Sequence, residues 1–327
     1  YQNMLYGWDI KQVHTAIGYV YNDNLKCFSI LAKRKNAKLI GHDHGISNFS
    51  KIIPLKSEGV SLYKWFILIH YYDYYLTWGA SNLDPGNAWD NVDKIDTIKI
   101  KNNGSVYLSE LKKWGKQNVD QQNIRLLYVS GPLRTFAANL EEITPERNVF
   151  NRKKILMMLK NLLDQHNNLT ILYKSFVGID LFNDPITQIL SKYIDQGRVQ
   201  ITSESPVKLM PNIDIAFFDM VSTGFAEAVQ IGVPTLVYSN DYDYNLASQE
   251  GKKINDELKL CGIVFYHAEA GIKSFEKIIT DLPGFQKSSS EPIRHFQEGV
   301  AFPVSKKSFL KNMDTKITSA NSAPLSP

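Results

Sequence analysis

The chain is 327 residues long, 43% hydrophobic and 21% charged, with a formal net charge of +4 and a pI near 8.7. This is the composition of a soluble globular protein too long for one core, so two domains are expected. Its lysines are spread along the chain rather than gathered into the dense clusters of nucleic-acid arms, which favours a phosphate-bearing small molecule over DNA or RNA.

The opening residues Tyr1-Gln2-Asn3-Met4 lack the basic start and apolar core of a signal peptide, and without an initiator methionine the chain reads as an excised or trimmed segment. Periodicity predicts an amphipathic helix over residues 22–35, a buried strand over 38–41 and a helical or strand-like stretch near 62–75. The apolar run Trp65-Phe66-Ile67-Leu68-Ile69 stops at His70, far short of the roughly 20 residues that cross a bilayer. Character changes near residue 85. Asp84-Pro85-Gly86 and Lys101-Asn102-Asn103-Gly104 are turn signals, and residues 96–100 between them alternate like an edge strand. From residue 123 the pattern is regular. Strands at 124–130, 170–174, 199–201, 213–218, 235–238 and 262–266 are interspersed with helices at 151–165, 185–194, 224–232, 247–260 and 268–280. This argues for βαβ units and a parallel sheet. Lys287-Ser288-Ser289-Ser290 and residues 319–327 read as a polar, mobile tail.

The implied division is an N-terminal domain over 1–84, a linker over 85–122, a nucleotide-binding domain over 123–285 and a tail over 286–327. About 80 residues are too few for a full nucleotide fold, so the first domain is expected to be abbreviated or truncated. Cys27 and Cys261 are too few and too distant for a disulfide framework, a usage that suits a reducing compartment, and neither belongs to a metal-ligand spacing.

Two constellations carry chemistry. In Lys38-Leu39-Ile40-Gly41-His42-Asp43-His44-Gly45, three titratable groups crowd the end of a buried strand, where open α/β sheets place their ligands. The competing explanation is that each histidine merely hydrogen-bonds a loop. The second is Asp219-Met220-Val221-Ser222-Thr223-Gly224-Phe225-Ala226-Glu227-Ala228, a strand running through a Ser/Thr/Gly turn into a helix. Helix N-termini present free N–H groups and a positive dipole end to phosphates. Ser222 and Thr223 serve equally well as caps. Glu227, one turn in, is spaced to accept ribose hydroxyls, and Gly232 closes the helix.

Smaller signals surround these. Ser130-Gly131-Pro132-Leu133-Arg134 ends the first strand of the second domain, so Gly131 lines the ligand edge, and Arg134 either reaches a phosphate or acidic sugar or is a surface arginine. Lys174 closes the next strand as a point charge for phosphates or a solvated lysine. Tyr71, Tyr72, Tyr74 and Tyr75 suit sugar stacking or half-buried packing. Asp241 and Asp243 fall too late for a metal-binding Asp-X-Asp, so no metal and no cofactor beyond an activated donor are expected.

The order of His44-Gly45 after a strand, Leu76-Thr77-Trp78-Gly79, the Ser222–Ala228 motif and Leu258-Lys259-Leu260-Cys261-Gly262-Ile263-Val264-Phe265 resembles bacterial surface-polysaccharide transferases of the GT-B type, over roughly residues 26–280. It is distantly similar to polyglycerolphosphate transferases of teichoic acid synthesis and to Kdo transferases of capsule and lipopolysaccharide assembly. The resemblance implies two Rossmann-like α/β domains facing a cleft, with the donor nucleotide on the C-terminal one at the helix near Ser222. It also implies that His44 faces the transferred group, as a base for the acceptor hydroxyl or a partner for the leaving phosphate. The related transferases commonly show glutamine before the histidine and a second glycine after it. This chain has Asp43 and Ile46 there, so Asp43 either orients a histidine or is itself the base.

The expected activity is glycosyl transfer from a nucleotide sugar, CMP-Kdo-like or CDP-polyol, to a glycan or lipid-linked acceptor. It is expected in the cytoplasm, with peripheral contact at the inner face of the plasma membrane and no nucleic-acid partner. A non-catalytic nucleotide-sugar or glycan binding module and a nucleotide-sugar epimerase are the alternatives.

Overall fold

The computed structural model describes residues 9–16, 22–43, 45–46, 72–79, 100–116, 118–131, 133, 145–176, 184–239 and 249–318. The chain forms two compact units, Tyr1–Ser109 with Gln297–Pro327, and Glu110–Phe296. Each contains a wholly parallel sheet, so the protein is α/β.

In the first unit, β1 (Gln12–Thr15), β2 (Lys38–His42), β3 (Tyr74–Thr77) and β4 (Ile100–Asn102) pair in that order, all parallel. Helix α1 (Asp23–Arg34) joins β1 to β2. Its start is specified locally: the Asn22 side chain accepts the Leu25 N–H at 3.1 Å, with Asp23 in the first turn and Lys33 and Arg34 in the last to complement the helix dipole. A parallel sheet needs cover on both faces. One face packs Val13, Leu39, Tyr72 and Tyr75 against Phe28 and Ala32 of α1. The other buries Ile40, Tyr74 and Leu76 against Phe309 and Met313, which arrive from the far end of the chain.

The second unit carries β5 (Ile124–Val129), α2 (Pro145–Gln165), β6 (Leu169–Lys174), β7 (Val199–Thr202), β8 (Ile215–Phe218), α3 (Thr223–Ile231), β9 (Thr235–Tyr238), α4 (Gln249–Leu260), β10 (Val264–Phe265) and α5 (Ala268–Thr280). The strand order is β10-β9-β8-β5-β6-β7. Tyr128 lies in register with Tyr173 on one side and Phe217 on the other. Their ring centroids are 5.3 and 5.1 Å apart, a cross-strand arrangement worth about 0.5–1.5 kcal/mol per pair beyond area burial. Gly271 of α5 is required by close packing, because a Cβ there would lie 2.4 Å from the Phe265 ring and 2.7 Å from Met158 Sδ.

The polar tail expected from residue 286 is instead helical. Helix α6 (Leu282–Val300) runs through the serines and through Pro292, and α7 (Lys306–Thr318) follows. Each serine hydroxyl bonds a carbonyl one turn back: Ser288 to Phe285 at 2.9 Å, Ser289 to Gln286 at 3.2 Å and Ser290 to Lys287 at 3.0 Å. Between the two helices the chain rejoins the first unit. Phe302 N–H donates to the Trp78 carbonyl at 2.9 Å, and its own carbonyl accepts the Ser105 N–H at 2.7 Å. The predicted helix at 185–194 is two short helices, Ile186–Ile189 and Ser191–Asp195, and strand β1 has no counterpart in the sequence reading. Residues 62–71, 84–86, 96–99 and 319–327, on which expectations also rested, lie outside the described residues. Cys27 and Cys261 form no disulfide. Among the described residues, no helix is long and apolar enough to cross a membrane.

The stretch expected as an irregular linker is divided: β4 belongs to the first unit, and the residues from Glu110 onward are fastened to the second. Trp114 donates its backbone N–H to Ile231 at 2.8 Å and its indole N–H to the Ile213 carbonyl at 2.9 Å. Lys116 meets Asp214 at 2.9 Å, and this fully buried carboxylate also accepts the Arg125 and Asp120 N–H groups. Asp214→Ala leaves those donors unpaired, so the substitution is expected to lower stability by about 3 kcal/mol or more. Urea unfolding followed by circular dichroism measures the loss.

Candidate functional site

The order of the second sheet reverses direction at β5: β6 follows on one side, and β8 returns to the other. Open α/β sheets bind ligands outside the carboxyl ends of the strands at such a switch point. Here the flanking segments are Ser130-Gly131 after β5 and Asp219–Ser222 after β8, since Val129 and Phe218 are register partners. The Gly131 N–H donates to Asp219 Oδ1 at 2.7 Å, closing the two segments on each other. A Cβ on Gly131 would approach that oxygen to 3.0 Å, so glycine permits the contact.

Helix α3 starts at this edge. Ser222 stands at its N-cap in extended backbone, and its side chain makes no cap hydrogen bond, so capping does not explain this serine. Ser222, Thr223, Gly224 and Glu227 are all half-buried, with Glu227 four residues beyond Thr223 on the same helix face. Phe225, Ala226, Ala228 and Val229 anchor the buried face, and Gly232, at φ 89°, ends the helix in the left-handed conformation that favours glycine. Lys174 ends β6, the strand beside β5. Its ammonium donates to the Ser175 carbonyl at 3.1 Å and has no carboxylate partner among the described residues. Arg134, Asp241 and Asp243 lie outside the described residues.

Beneath the switch point is a buried charge cluster that the sequence reading did not find. Arg152 of α2, 3% exposed, donates from Nη1 to Tyr173 OH at 2.7 Å and to Asp184 Oδ2 at 3.1 Å. From Nη2 it donates to the Gly131 carbonyl at 2.8 Å and to Asp219 Oδ2 at 3.0 Å. Tyr128 OH also donates to Asp219, and Tyr173 OH to Asp184. Burial disfavours the guanidinium charge, but the surrounding phenols and carboxylates more than compensate and hold its pKa above the usual value. Burial raises both tyrosines, which stay neutral donors. The signal was present in the sequence: Arg152 shares a helical face with Ile155, Leu156, Leu159 and Leu163, all buried, so a charge occupies a core position.

At the end of β2 in the first unit, the histidine motif resolves into distinct roles. Asp43, 5% exposed, accepts Tyr75 OH on Oδ1 and the Trp78 N–H on Oδ2, each at 3.0 Å. Its own N–H donates to the Leu76 carbonyl. The carboxylate therefore ties β2 to the end of β3, which gives the departure from glutamine a packing reason. His14, absent from the sequence reading, faces His42 with Nδ1 to Nε2 at 2.8 Å, and its Nε2 faces Gln12 Oε1 at 2.9 Å. Since Gln12 Oε1 only accepts, His14 donates there, leaving its Nδ1 to accept the His42 Nε2–H. Both rings are then neutral. Burial and the proximity of His14 hold His42 down at about 4, and burial lowers His14. Phe309 of α7 stacks on His42 at 6.1 Å. Gly45 and Ile46 are buried. His44 lies outside the described residues. Among the described residues, no group of three or more His, Cys, Asp or Glu side chains is arranged to hold a metal ion.

A model of the LIC12162 family transferases matches residues 2–284. The chain belongs to this transferase family. No curated protein matches it. Among solved structures, the transferase is similar to a Listeria monocytogenes protein described as a UDP-N-acetylglucosamine 2-epimerase, at 14% identity and TM-score 0.57, covering 99% of this chain and 78% of that one. It is similar to a UDP-GlcNAc 2-epimerase from Neisseria meningitidis bound to UDP-GlcNAc, at 12% identity and TM-score 0.53, covering 97% and 78%. A UDP-forming trehalose-phosphate synthase from Burkholderia vietnamiensis matches at 12% identity and TM-score 0.51, covering 96% and 75%. At these identities the likeness concerns the fold, a GT-B-like α/β architecture of parallel sheets.

The histidine pair predicts how the transferase responds to acid. The unfolded His42 binds a proton below about 6.5 and the folded one only below about 4, so stability falls as pH drops across that interval. Between pH 7 and pH 4.5 the native chain is expected to lose about 1–3 kcal/mol more than His42→Gln. Urea unfolding at the two pH values measures this, and identical pH slopes in both proteins would contradict a neutral pair.

Proposed function

We propose that this transferase is a glycosyltransferase that takes its sugar from a nucleotide-activated donor, with UDP as the first carrier to test. The observation that supports this most directly is the start of α3, a helix N-terminus without a Ser222 cap at the switch point of a parallel sheet. Its N–H groups and dipole suit a diphosphate. In this reading Ser222, Thr223 and Gly224 hold the phosphates, Glu227 accepts ribose hydroxyls, Gly131 lines the site, and Lys174 and Arg134 add positive charge. His44 serves as the base that deprotonates the acceptor hydroxyl, and Asp43 holds its loop in place. The fold neighbours support a UDP carrier, one being bound to UDP-GlcNAc and another UDP-forming. A CMP or CDP carrier and a glycan or lipid-linked acceptor in bacterial surface-polysaccharide assembly, at the cytoplasmic face of the membrane, are the finer parts of the proposal.

The epimerase neighbours favour one competing reading, in which the nucleotide sugar is converted without an acceptor. A thermal-shift screen with UDP, CDP, GDP and CMP is expected to raise the melting temperature with one carrier, because a ligand that binds only the folded state stabilises it. His44→Ala is expected to keep that shift and lose transfer by about 100-fold or more, the usual contribution of a general base. Full transfer activity in His44→Ala would remove His44 from the mechanism. Conversion of the nucleotide sugar alone would select the epimerase reading, and no shift with any carrier would end the nucleotide reading.

A further inference from the structure

We propose that Arg152 is a positioning residue of the donor site, fixing the loops after β5 and β8 in the spacing that a nucleoside diphosphate requires; this inference rests on the donor reading above. The guanidinium divides its work between its two terminal nitrogens. Nη1 holds Tyr173 and Asp184, whereas Nη2 holds the Gly131 carbonyl and Asp219, one group from each loop at the switch point. The Gly131 peptide is thereby gripped from both ends, its carbonyl by Arg152 and its N–H by Asp219. A planar fork makes these contacts together, and a lysine ammonium on a flexible stem does not.

Charge gives the same residue a second effect. Asp219 lies four residues before Thr223, the first residue of α3, and is 12% exposed. An unpaired carboxylate there would repel an incoming diphosphate. Arg152 neutralises it and, with Tyr128 OH and the Gly131 N–H, occupies both of its oxygens. Burying a cation with two carboxylates is a poor route to stability alone, since an apolar cluster of similar volume is often as stable or more so. What the Nη2 side of the fork supplies is a defined geometry at the ends of β5 and β8.

The test compares two substitutions within the one cluster, with UDP as the probe. Arg152→Lys keeps the charge and loses the fork, and is expected to weaken UDP binding at least tenfold in protein that is folded by circular dichroism. Asp184→Asn perturbs the nitrogen that touches neither loop, and is expected to lower the melting temperature while leaving the UDP Kd within about twofold. In transfer assays Arg152→Lys is expected to raise the donor KM more than it lowers kcat. Where Arg152→Lys does not fold, Asp219→Asn carries the test, because its amide sets an N–H against either the guanidinium or the Gly131 N–H and so releases one of the two fastenings, and the same tenfold loss is expected. Arg152→Lys or Asp219→Asn binding UDP as tightly as the native chain, with stability alone reduced, overturns the positioning role and leaves the donor reading standing. Native protein that binds no nucleotide overturns both.

Discussion

One buried guanidinium organises the strand ends of the second unit. Parallel strands satisfy their backbone groups only while they run beside a neighbour, and where a strand leaves the sheet its carbonyls and N–H groups need new partners. Arg152 supplies one at the edge where β5, β6 and β8 end together, bonding the Gly131 carbonyl, and it also reaches the Tyr173 hydroxyl at the end of β6 and the carboxylate that follows β8. It does so from α2, which Ile155, Leu156, Leu159, Leu162 and Leu163 bury in the core. The segments at the switch point are thus tied to a helix packed into the core of their unit.

The first unit solves the same problem with an anion. Asp43 accepts from Tyr75 and Trp78 and so fastens the turn after β2 to the end of β3, while the neutral histidine pair joins β2 to β1. The motif His42-Asp43 therefore holds strands together, with the two side chains on opposite faces of β2, as strand alternation requires. The protein places a cation under one loop set and a carboxylate under the other, each saturated by hydrogen bonds.

Much of the second unit was legible because its central strands are buried on both faces and so read as short, unbroken apolar runs between turn residues. The strand Thr235–Tyr238 and the helix Ala268–Thr280 stand where periodicity put them. Strand β1 was illegible for the opposite reason: Gln12 and His14 point outward from an edge strand of four residues, leaving only Val13 and Thr15 to mark it. Helix α6 was hidden by Pro292 and three serines, which suggest a loop until their hydroxyls are seen bonding back to the helix. The candidate segments around Gly131 and Ser222 announced themselves by turn chemistry at strand ends. The cluster that holds them did not, because Arg152 finds Asp184 and Asp219 at separations of 32 and 67 residues, and a pairing of that range has no local signature.

The return of the C-terminal segment to the first unit has a consequence in time. Ile40, Tyr74 and Leu76 wait for Phe309 and Met313, and Trp78 waits for Phe302, so the face that opens near residue 40 closes only with residues beyond 300. A ribosome adding about 5–20 residues per second synthesises the whole of Glu110–Phe296 in the interval. The usual order, in which the N-terminal unit matures first, is therefore reversed: the sheet of the second unit can close while the chain is still growing, and the earlier-made sheet holds an apolar face open to the solvent or a chaperone until residues beyond 300 have been made.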